Sequence, residues 1–342
     1  MPSSFSPKMF DPAISFLKGL TAVKPQDIKL TVGLDIGSTS VKAVALGTKK
    51  GGAARPILGQ HLVPLQEGQN IDASEAIRLA VGGLHMTVRS VNVAVSGQWV
   101  IMRIVELPTM KPGEMAQALP FEAQRYLPFN IQDVVIDGAV LGPASANRSW
   151  VLIVACKKDL LERRMDWVRR AGYEVALIDV DALAVANAFL ADGAKAQGTR
   201  AILNIGGQMT NLVIFQGVIP YLVRDIPWGG EKLVRNTAEQ LGIDPVGLAK
   251  QLTEGGVSPE VASGMKMVTE ALVTELQLSF DYFENRFGQP PEELLVSGGL
   301  GQCTPFLDVM KQHLTQTIAL WAPAPALPPQ YAVAYGLALR TG

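Results

Sequence analysis

Two glycine-containing turns between extended apolar segments carry residue types suited to binding phosphate. The first, DIGSTSVK at residues 35–42, joins two predicted strands. The backbone N–H groups of such a tight turn point into one hollow that accepts phosphate oxygens. Gly37 permits close approach of the backbone, and Lys42 supplies positive charge. The hydroxyl side chains of the turn are those of Ser38, Thr39 and Ser40.

Asp35, at the end of the first of these strands, is a candidate metal ligand. Protein-bound Mg²⁺ keeps several waters and takes one or two carboxylates, usually together with substrate phosphates. Asp35 is therefore predicted to hold hydrated Mg²⁺. An ordinary β-hairpin would also produce this turn, and Lys42 could equally be a solvated strand lysine.

A second turn, NIGGQMT at residues 204–210, presents Gly206, Gly207 and Thr210 in matching places. With both turns present, a nucleoside triphosphate could be held from two sides. A third glycine turn, SGGLG at residues 297–301, follows another predicted strand and contains Gly298, Gly299 and Gly301. Its backbone is predicted to lie flat beside a base or ribose.

The elements around these turns repeat along the chain. Three extended segments occur between Thr31 and Leu65, and three more begin at Ala201. Superposing Asp35 on Asn204, 169 positions later, aligns apolar residues on both sides. The 342 residues also suit two lobes better than one core. The sequence therefore predicts an α/β protein with two duplicated lobes, each a β-meander with helices, and a cleft between them.

The remaining segments suggest domain boundaries. The predicted division is an N-terminal arm at 1–27, a first lobe at 28–198 and a second lobe at 199–342. An inserted αβ unit is predicted at about 91–155, and a further subdomain at about 229–289. Pro120 is expected to kink or split the helix of the insert. The arm contains a short apolar stretch that either docks on a surface or packs on its own domain. A core-facing helical stripe is predicted at Val268, Leu272, Leu276, Phe280, Phe283 and Phe287.

Composition excludes several function classes. Thirty basic and 31 acidic residues give a net charge of −1, which argues against a nucleic-acid partner. The two cysteines, Cys156 and Cys303, fit a reducing compartment and buried packing rather than a disulfide framework. Neither the cysteine nor the histidine spacing is that of a zinc site. No apolar run of about 18 residues exists, so no transmembrane segment is predicted.

With these motifs in hand, the chain resembles the superfamily of actin, sugar kinases and heat-shock chaperones. Members of that superfamily share five motifs in a fixed order: phosphate one, connector one, phosphate two, adenosine and connector two. The matching segments here are residues 35–42, 179–188, 204–210, 297–301 and 332–339. The resemblance implies an actin-like fold whose interlobe cleft binds ATP with Mg²⁺.

Within that superfamily, the chain most resembles the PilM family of type IV pilus assembly proteins over about residues 30–342. The segments that carry this resemblance are LPFEAQRYLPFNIQDVVID, IDVDALAVANAF, RDIPWGGEKL, ELQLSFDYF and YAVAYGLALR. It implies an insert like that of the division protein FtsA, and it places Gly229 and Gly230 near the nucleotide. The implied partner is the cytoplasmic N-terminal peptide of a PilN-like inner-membrane protein, with other pilus assembly proteins as further candidates. The implied location is cytoplasmic, peripheral at the inner membrane through partner proteins.

One departure from the superfamily pattern bears on catalysis. Where relatives have an acidic residue opening phosphate two, this chain has Asn204, which can bind a metal-bound water without supplying charge. Asp181 in connector one matches the residue that orients the attacking water in many relatives. The resemblance therefore implies ATP binding with weak or absent hydrolysis. Asp179 or Asp181 could instead cap the following helix.

Two other functions share the fold. A small-molecule kinase would need a catalytic aspartate and a sugar pocket, and no sugar-kinase signature is present. A filament-forming relative of FtsA or of bacterial actin is the other alternative. Against a close FtsA match, no C-terminal amphipathic helix follows connector two in this sequence.

Overall fold

The computed structural model describes residues 30–48, 54–65, 72–191, 198–254 and 257–341. The predicted arm at 1–27 lies outside this part of the chain, as does most of the predicted interlobe linker. Within the described residues, no helix is both long enough and apolar enough to cross a membrane.

The first lobe is built on a five-stranded sheet in the order β3-β2-β1-β4-β8. The first three strands form an antiparallel meander, and β4 and β8 add in parallel. Most residues of β1 and β2 are buried because helices cover both faces of the sheet. The elements of this lobe are β1 (Leu30–Ile36), β2 (Ser40–Gly47), β3 (Ile57–Pro64), α1 (Ala73–Gly82), β4 (Ser90–Val95), α3 (Lys158–Arg170), β8 (Glu174–Val180) and α4 (Asp181–Ala191).

The second lobe repeats this sheet in the order β11-β10-β9-β12-β13. Asp35 and Asn204 are both the next-to-last residue of the first strand of their meander, which confirms the predicted internal repeat. The elements are β9 (Thr199–Ile205), β10 (Thr210–Gln216), β11 (Ile219–Ile226), α5 (Gly230–Leu241), α6 (Pro245–Glu254), α7 (Pro259–Phe287), β12 (Glu293–Gly298), α8 (Thr304–His313) and β13 (Thr317–Leu320). Helix α9 (Ala332–Ala338) follows them in the chain but packs on α4 and on strands β1, β2 and β4 of the first lobe.

Helix α7 shows how sequence determines an element of this lobe. Ser258 caps its N-terminus by accepting a hydrogen bond from the Val261 N–H, and Pro259 occupies the first turn. Gly288 ends the helix in the left-handed conformation, with φ of 85°. The predicted stripe faces the core: four of its residues are buried, and Val268 and Phe287 are partly buried against the same cluster. The four buried residues are Leu272, Leu276, Phe280 and Phe283.

A third sheet, in the order β5-β7-β6, forms the insert between β4 and α3. Its elements are β5 (Val100–Pro108), α2 (Pro112–Gln124), β6 (Val134–Pro143) and β7 (Arg148–Lys157). Helix α2 covers one face, burying Met115, Leu119 and Ala123 against Val151 and Ile153. The helix continues past Pro120, so of the two predicted effects, a kink or a split, the split does not occur.

The boundary predicted for the insert also needs correction. Strand β4 pairs in parallel with β1 and β8, so it belongs to the first-lobe sheet. The three-stranded sheet begins at Val100 instead of Val91 and ends at Lys157 instead of Ala155. The pattern of a buried strand is the same in either sheet, and only the pairing distinguishes them.

Helices α4 and α9 meet at the base of the cleft. They pack closely because small residues line the contact: a Cβ placed on Gly336 would lie 2.5 Å from the Ala184 carbonyl carbon and still nearer its oxygen. Helix α9 also packs on β1, where a Cβ on Gly33 would overlap the Ala334 carbonyl oxygen. The Asn92 amide donates to the carbonyl oxygens of Leu337 and Arg340. These contacts hold α9 against α4 and against the first-lobe sheet.

Candidate functional site

A cleft of about 1920 Å³ separates the two lobes and reaches the insert. Its walls come from both meanders, from strand β5 and from helices α3, α5 and α7. The predicted site residues that line it are Asp35, Gly37, Ser38, Thr39, Ser40, Lys42, Asp181, Asn204, Gly206, Gly207, Gly230 and Gly299.

The turn between β1 and β2 forms the first-lobe wall. The Gly37 N–H donates to the Ser40 carbonyl oxygen at 3.1 Å, which closes the turn. Ser38 and Thr39 are exposed at its tip. Asp35 and Lys42 are directly paired across the two strands, and Lys42 Nζ lies 2.9 Å from Asp35 Oδ2. A cation and a carboxylate therefore stand side by side at the base of the turn.

The turn between β9 and β10 forms the opposite wall and is held by the first turn of α5. The Gly206 N–H donates to the Met209 carbonyl oxygen at 2.9 Å. The N–H groups of Gly230 and Glu231 donate to the carbonyl oxygens of Gly206 and Gly207, each at 2.9 Å. The N-terminus of α5 thus positions this turn through backbone hydrogen bonds.

The two turns approach each other closely at Gly207. A Cβ placed on Gly207 would lie 2.6 Å from Thr39 Cγ2 and 2.9 Å from Glu231 Oε1, and it would overlap Ser38 Oγ. Only a residue without a side chain allows the turns to come this close. The arrangement brings backbone from both lobes and the hydroxyls of the first-lobe turn close together, as a phosphate chain held from two sides requires.

Three partly buried groups that sequence reasoning missed, Ser96, Arg164 and Asp225, influence the pKa of Asp181. The Arg164 guanidinium, on α3, donates to the Ile36 carbonyl oxygen at 2.8 Å. Burial, reinforced by the Asp35 charge, raises the pKa of Asp181 to about 7, and hydrogen bonding from Ser96 and the charge of Arg164 oppose that rise. Burial likewise raises the pKa of Asp225 on β11.

A row of polar side chains crosses the second-lobe sheet beside this cluster. Asn204, Asn211 and Asp225 are direct partners on three adjacent strands. Asn204 Nδ2 donates to Asn211 Oδ1 at 2.9 Å, and Asn211 Nδ2 donates to Asp225 Oδ1 at 2.8 Å. Position 204 lacks a carboxylate, and the second-lobe sheet thus carries one at Asp225, two strands away. No motif in the sequence links these positions, and only their shared register brings them together.

Four predicted site residues do not line the cleft. Thr210 is fully buried and donates its hydroxyl to the Trp228 carbonyl oxygen at 2.7 Å. A Cβ on Gly229 would lie 2.6 Å from the Gly207 carbonyl carbon, and one on Gly298 would lie 2.6 Å from Ile205 N. Gly301 packs near Leu320 and the Val296 backbone. These residues set the position of the loops that carry the lining residues.

Asp179 has a different environment from Asp181. It is 1% exposed, accepts a hydrogen bond from the Val180 N–H at 2.8 Å, and lies 3.6 Å from Arg340 Nε. Burial raises its pKa, and the Arg340 charge opposes that rise. Asp179 therefore joins β8 to the C-terminal segment rather than facing the cleft.

The lining residues fit a nucleotide with Mg²⁺ better than a metal held by protein alone. Among the described residues, no group of three or more His, Cys, Asp or Glu side chains could hold a metal ion. Mg²⁺ bound to phosphates needs only one or two carboxylates. Asp35 can supply one of these, and both turns line the cleft beside it.

Because the folded protein raises the pKa of Asp181 above its unfolded value, the stabilisation from its protonated form is fully present below pH 4. It is lost as the pH rises through about 7. We expect Asp181→Asn, which stays neutral, to be more stable than the wild type at pH 8, by on the order of 2 kcal/mol. Its stability should also change less between pH 5 and pH 8.

Thermal melts from pH 5 to pH 8 check this prediction, with Asp281→Asn on the exposed face of α7 as the matched control. If the stabilities of the wild type and of Asp181→Asn changed in parallel from pH 5 to pH 8, Asp181 would be ionised throughout this range. Its neighbouring groups would then compensate for its charge.

Two lobes built on one duplicated sheet, with facing glycine turns across a cleft, define an actin-like protein. Similar solved structures support this class. One, described as a PilM–PilN type IV pilus biogenesis complex, has a chain 24% identical with a TM-score of 0.79, and the match covers 91% of this chain and 98% of that one. Ethanolamine utilization protein EutJ from Carboxydothermus hydrogenoformans is 15% identical with a TM-score of 0.55, covering 93% and 92%.

A family model described as type IV pilus assembly protein PilM matches residues 33–327. The chain therefore belongs to the PilM family of type IV pilus assembly proteins, and the predicted resemblance is confirmed.

Proposed function

We propose that this protein is a nucleotide-binding adaptor of a type IV pilus or related secretion machine. It acts in the cytoplasm, peripheral to the inner membrane through its partners. It binds ATP with Mg²⁺ in the interlobe cleft and the cytoplasmic N-terminal peptide of a PilN-like inner-membrane protein at the insert. The observation that carries the nucleotide part is the close approach of the turns of both lobes at Gly207, with residues of both turns lining the cleft.

In this proposal the phosphates lie between the two turns. Backbone N–H groups of Ser38, Thr39 and Gly207 would donate to their oxygens, and Lys42 would supply the charge-assisted contact. Asp35 holds Mg²⁺ through water, with Asn204 beside it. The base and ribose lie between α5 and the turn at Gly299, where Leu300, Gln302 and Gln330 also border the cleft.

ATP turnover is proposed to be slow. Asp181, with a pKa of about 7, could orient or deprotonate the attacking water. Asn204, however, supplies no charge to the metal, and charge stabilisation dominates phosphoryl-transfer catalysis. The protein is thus proposed to respond to bound nucleotide more than to consume it.

The peptide part of the proposal rests on family membership and on the insert. Among the solved structures is the PilM–PilN complex, whose PilM chain has the same fold. Strand β5 is an edge strand of the three-stranded sheet, and all nine of its residues border the cleft. An exposed strand edge can pair with an extended peptide through backbone hydrogen bonds. We therefore propose that the peptide binds along β5 where this strand borders the cleft.

Calorimetric titration with Mg·ATP tests the nucleotide site. Wild-type protein should bind, and Lys42→Met should bind about 10- to 100-fold more weakly, because a hydrogen bond to a charged group contributes about 1.5–3 kcal/mol. The matched control is Lys311→Met, an exposed lysine on α8, which should bind like the wild type. Equal affinity in the Lys42 and Lys311 variants would place the nucleotide elsewhere.

A further inference from the structure

The insert belongs to the first lobe by chain order, yet its aromatic contacts reach the second lobe. Trp150 on β7 lies 5.8 Å from the Tyr221 ring on β11 and 5.5 Å from the Phe287 ring at the end of α7, measured between ring centroids. Tyr221 and Phe287 are themselves 5.0 Å apart. These three rings, here called the aromatic brace, join the insert to two elements of the second lobe.

Arg286 adds polar contacts to the brace. Its guanidinium lies 5.2 Å from the Trp150 ring and 5.6 Å from the Phe287 ring, where the faces of aromatic rings attract cations. It also donates to the Ile104 carbonyl oxygen on edge strand β5 at 3.3 Å. One side chain of α7 thus contacts two strands of the insert.

The connection between the first-lobe sheet and the insert is held from both lobes. It consists of residues 96–99, of which Ser96 and Gly97 directly follow β4, and a second connection joins β7 directly to α3. The Gly97 N–H donates to Asp225 Oδ2 of the second lobe at 2.7 Å, while the Ser96 side chain is hydrogen-bonded to Asp181 of the first lobe. Gly97 has φ of 93°, a conformation that favours glycine. Ser96 and Gly97 therefore lie between Asp181 and Asp225, two carboxylates that border the cleft.

From these contacts we propose that the insert moves with the second lobe when nucleotide draws the lobes together. Such a movement changes the part of the cleft that lies between β5 and the first lobe. Peptide binding therefore depends on the nucleotide. The role proposed for the aromatic brace is to transmit this movement, with Ser96 and Gly97 as its hinge. The regulatory part of this inference rests on the proposed function; the attachment of the insert to the second lobe does not.

Distances between spin labels measure the attachment directly. Exposed positions for the labels are Gln60 on β3 of the first lobe, Gln117 on α2 of the insert and Glu239 on α5 of the second lobe. Both native cysteines are buried, so introduced cysteines can be labelled selectively. On adding Mg·ATP, we expect the 117–60 distance to change and the 117–239 distance to stay constant. A constant 117–60 distance with a changing 117–239 distance would overturn the proposal.

A second arm needs no ligand. Arg286→Ala removes an exposed side chain and should fold, whereas Trp150→Leu removes a larger, half-buried one. Both should broaden the 117–239 distance distribution. Arg235→Ala on α5 is the matched control for the loss of one exposed arginine. This variant should leave the 117–239 distance distribution narrow. Unchanged widths in the Arg286 and Trp150 variants would show that the brace does not hold the insert, whether or not nucleotide binds.

The regulatory step is read from peptide affinity. In the wild type, Mg·ATP should change the Kd for a PilN-like N-terminal peptide at least about fivefold, within the usual range of allosteric coupling. In Arg286→Ala the change should fall below about twofold, with nucleotide affinity retained. An undiminished change in this variant would contradict transmission through the brace. Failure of the wild type to bind ATP or peptide would instead overturn the proposed function, while the label distances still test the attachment.

Discussion

Gly207→Val should reduce affinity for Mg·ATP at least about 100-fold while the protein remains folded. A Cβ at this position lies 2.6 Å from Thr39 Cγ2 and overlaps Ser38 Oγ, and valine adds two methyl groups to it. The side chains of Ser38 and Thr39 are exposed and can rotate away, so the fold tolerates the change. The phosphate site does not tolerate it, because the new methyl groups would lie between the two turns and keep phosphate from contacting both of them.

The matched control is Gly113→Val in the first turn of α2, where a Cβ meets no atom within 4 Å. Calorimetric titration should show near wild-type affinity for this variant, and melting curves should show both variants folded. If Gly207→Val bound Mg·ATP as tightly as the control, the space between the two turns would not be the phosphate site.

Gly336→Ala should cause the largest loss of stability, of about 3 kcal/mol in the free energy of unfolding. The added Cβ would lie 2.5 Å from the Ala184 carbonyl carbon, and the atoms it meets are backbone atoms of α4. No side-chain rotation relieves this overlap, so α4 and α9 must move apart. Because α4 begins at Asp181, nucleotide affinity should fall as well.

Denaturant unfolding measures this loss. Gly82→Ala near the end of α1 meets no atom within 4 Å and should stabilise the protein by about 0.4–1 kcal/mol, because alanine restricts the unfolded chain. A loss below about 1 kcal/mol in Gly336→Ala would mean that the two helices pack less closely than the structure shows.

The parts of the fold that could be predicted are those in which local pattern and physical constraint coincide. The match of Asp35 with Asn204 was visible because two meanders with the same apolar pattern end in similar turns. The core stripe of α7 was visible because helical spacing selects Leu272, Leu276 and Phe280. The start of the insert was not visible in the sequence, because strand β4 has the same apolar pattern whichever sheet it joins.

The candidate site was predicted only where its residues form a motif. Arg164 lies on a helix with several other arginines, and Asp225 is the next-to-last residue of a strand, outside the three glycine turns predicted to bind nucleotide. Both reach the cleft through tertiary packing, which no local spacing encodes. Glycine composition also cannot show whether a glycine faces a ligand or a backbone: Gly207 faces the cleft, whereas Gly298 packs on Ile205.

The central claim is that one protein binds both a nucleotide and a PilN-like peptide. Calorimetric titration of the purified protein with that N-terminal peptide, with and without saturating Mg·ATP, tests it most directly. We predict binding in at least one condition and a peptide affinity that differs at least about fivefold between the two. Absence of peptide binding in both conditions, with Mg·ATP still bound, would contradict the adaptor function while leaving the actin-like fold intact.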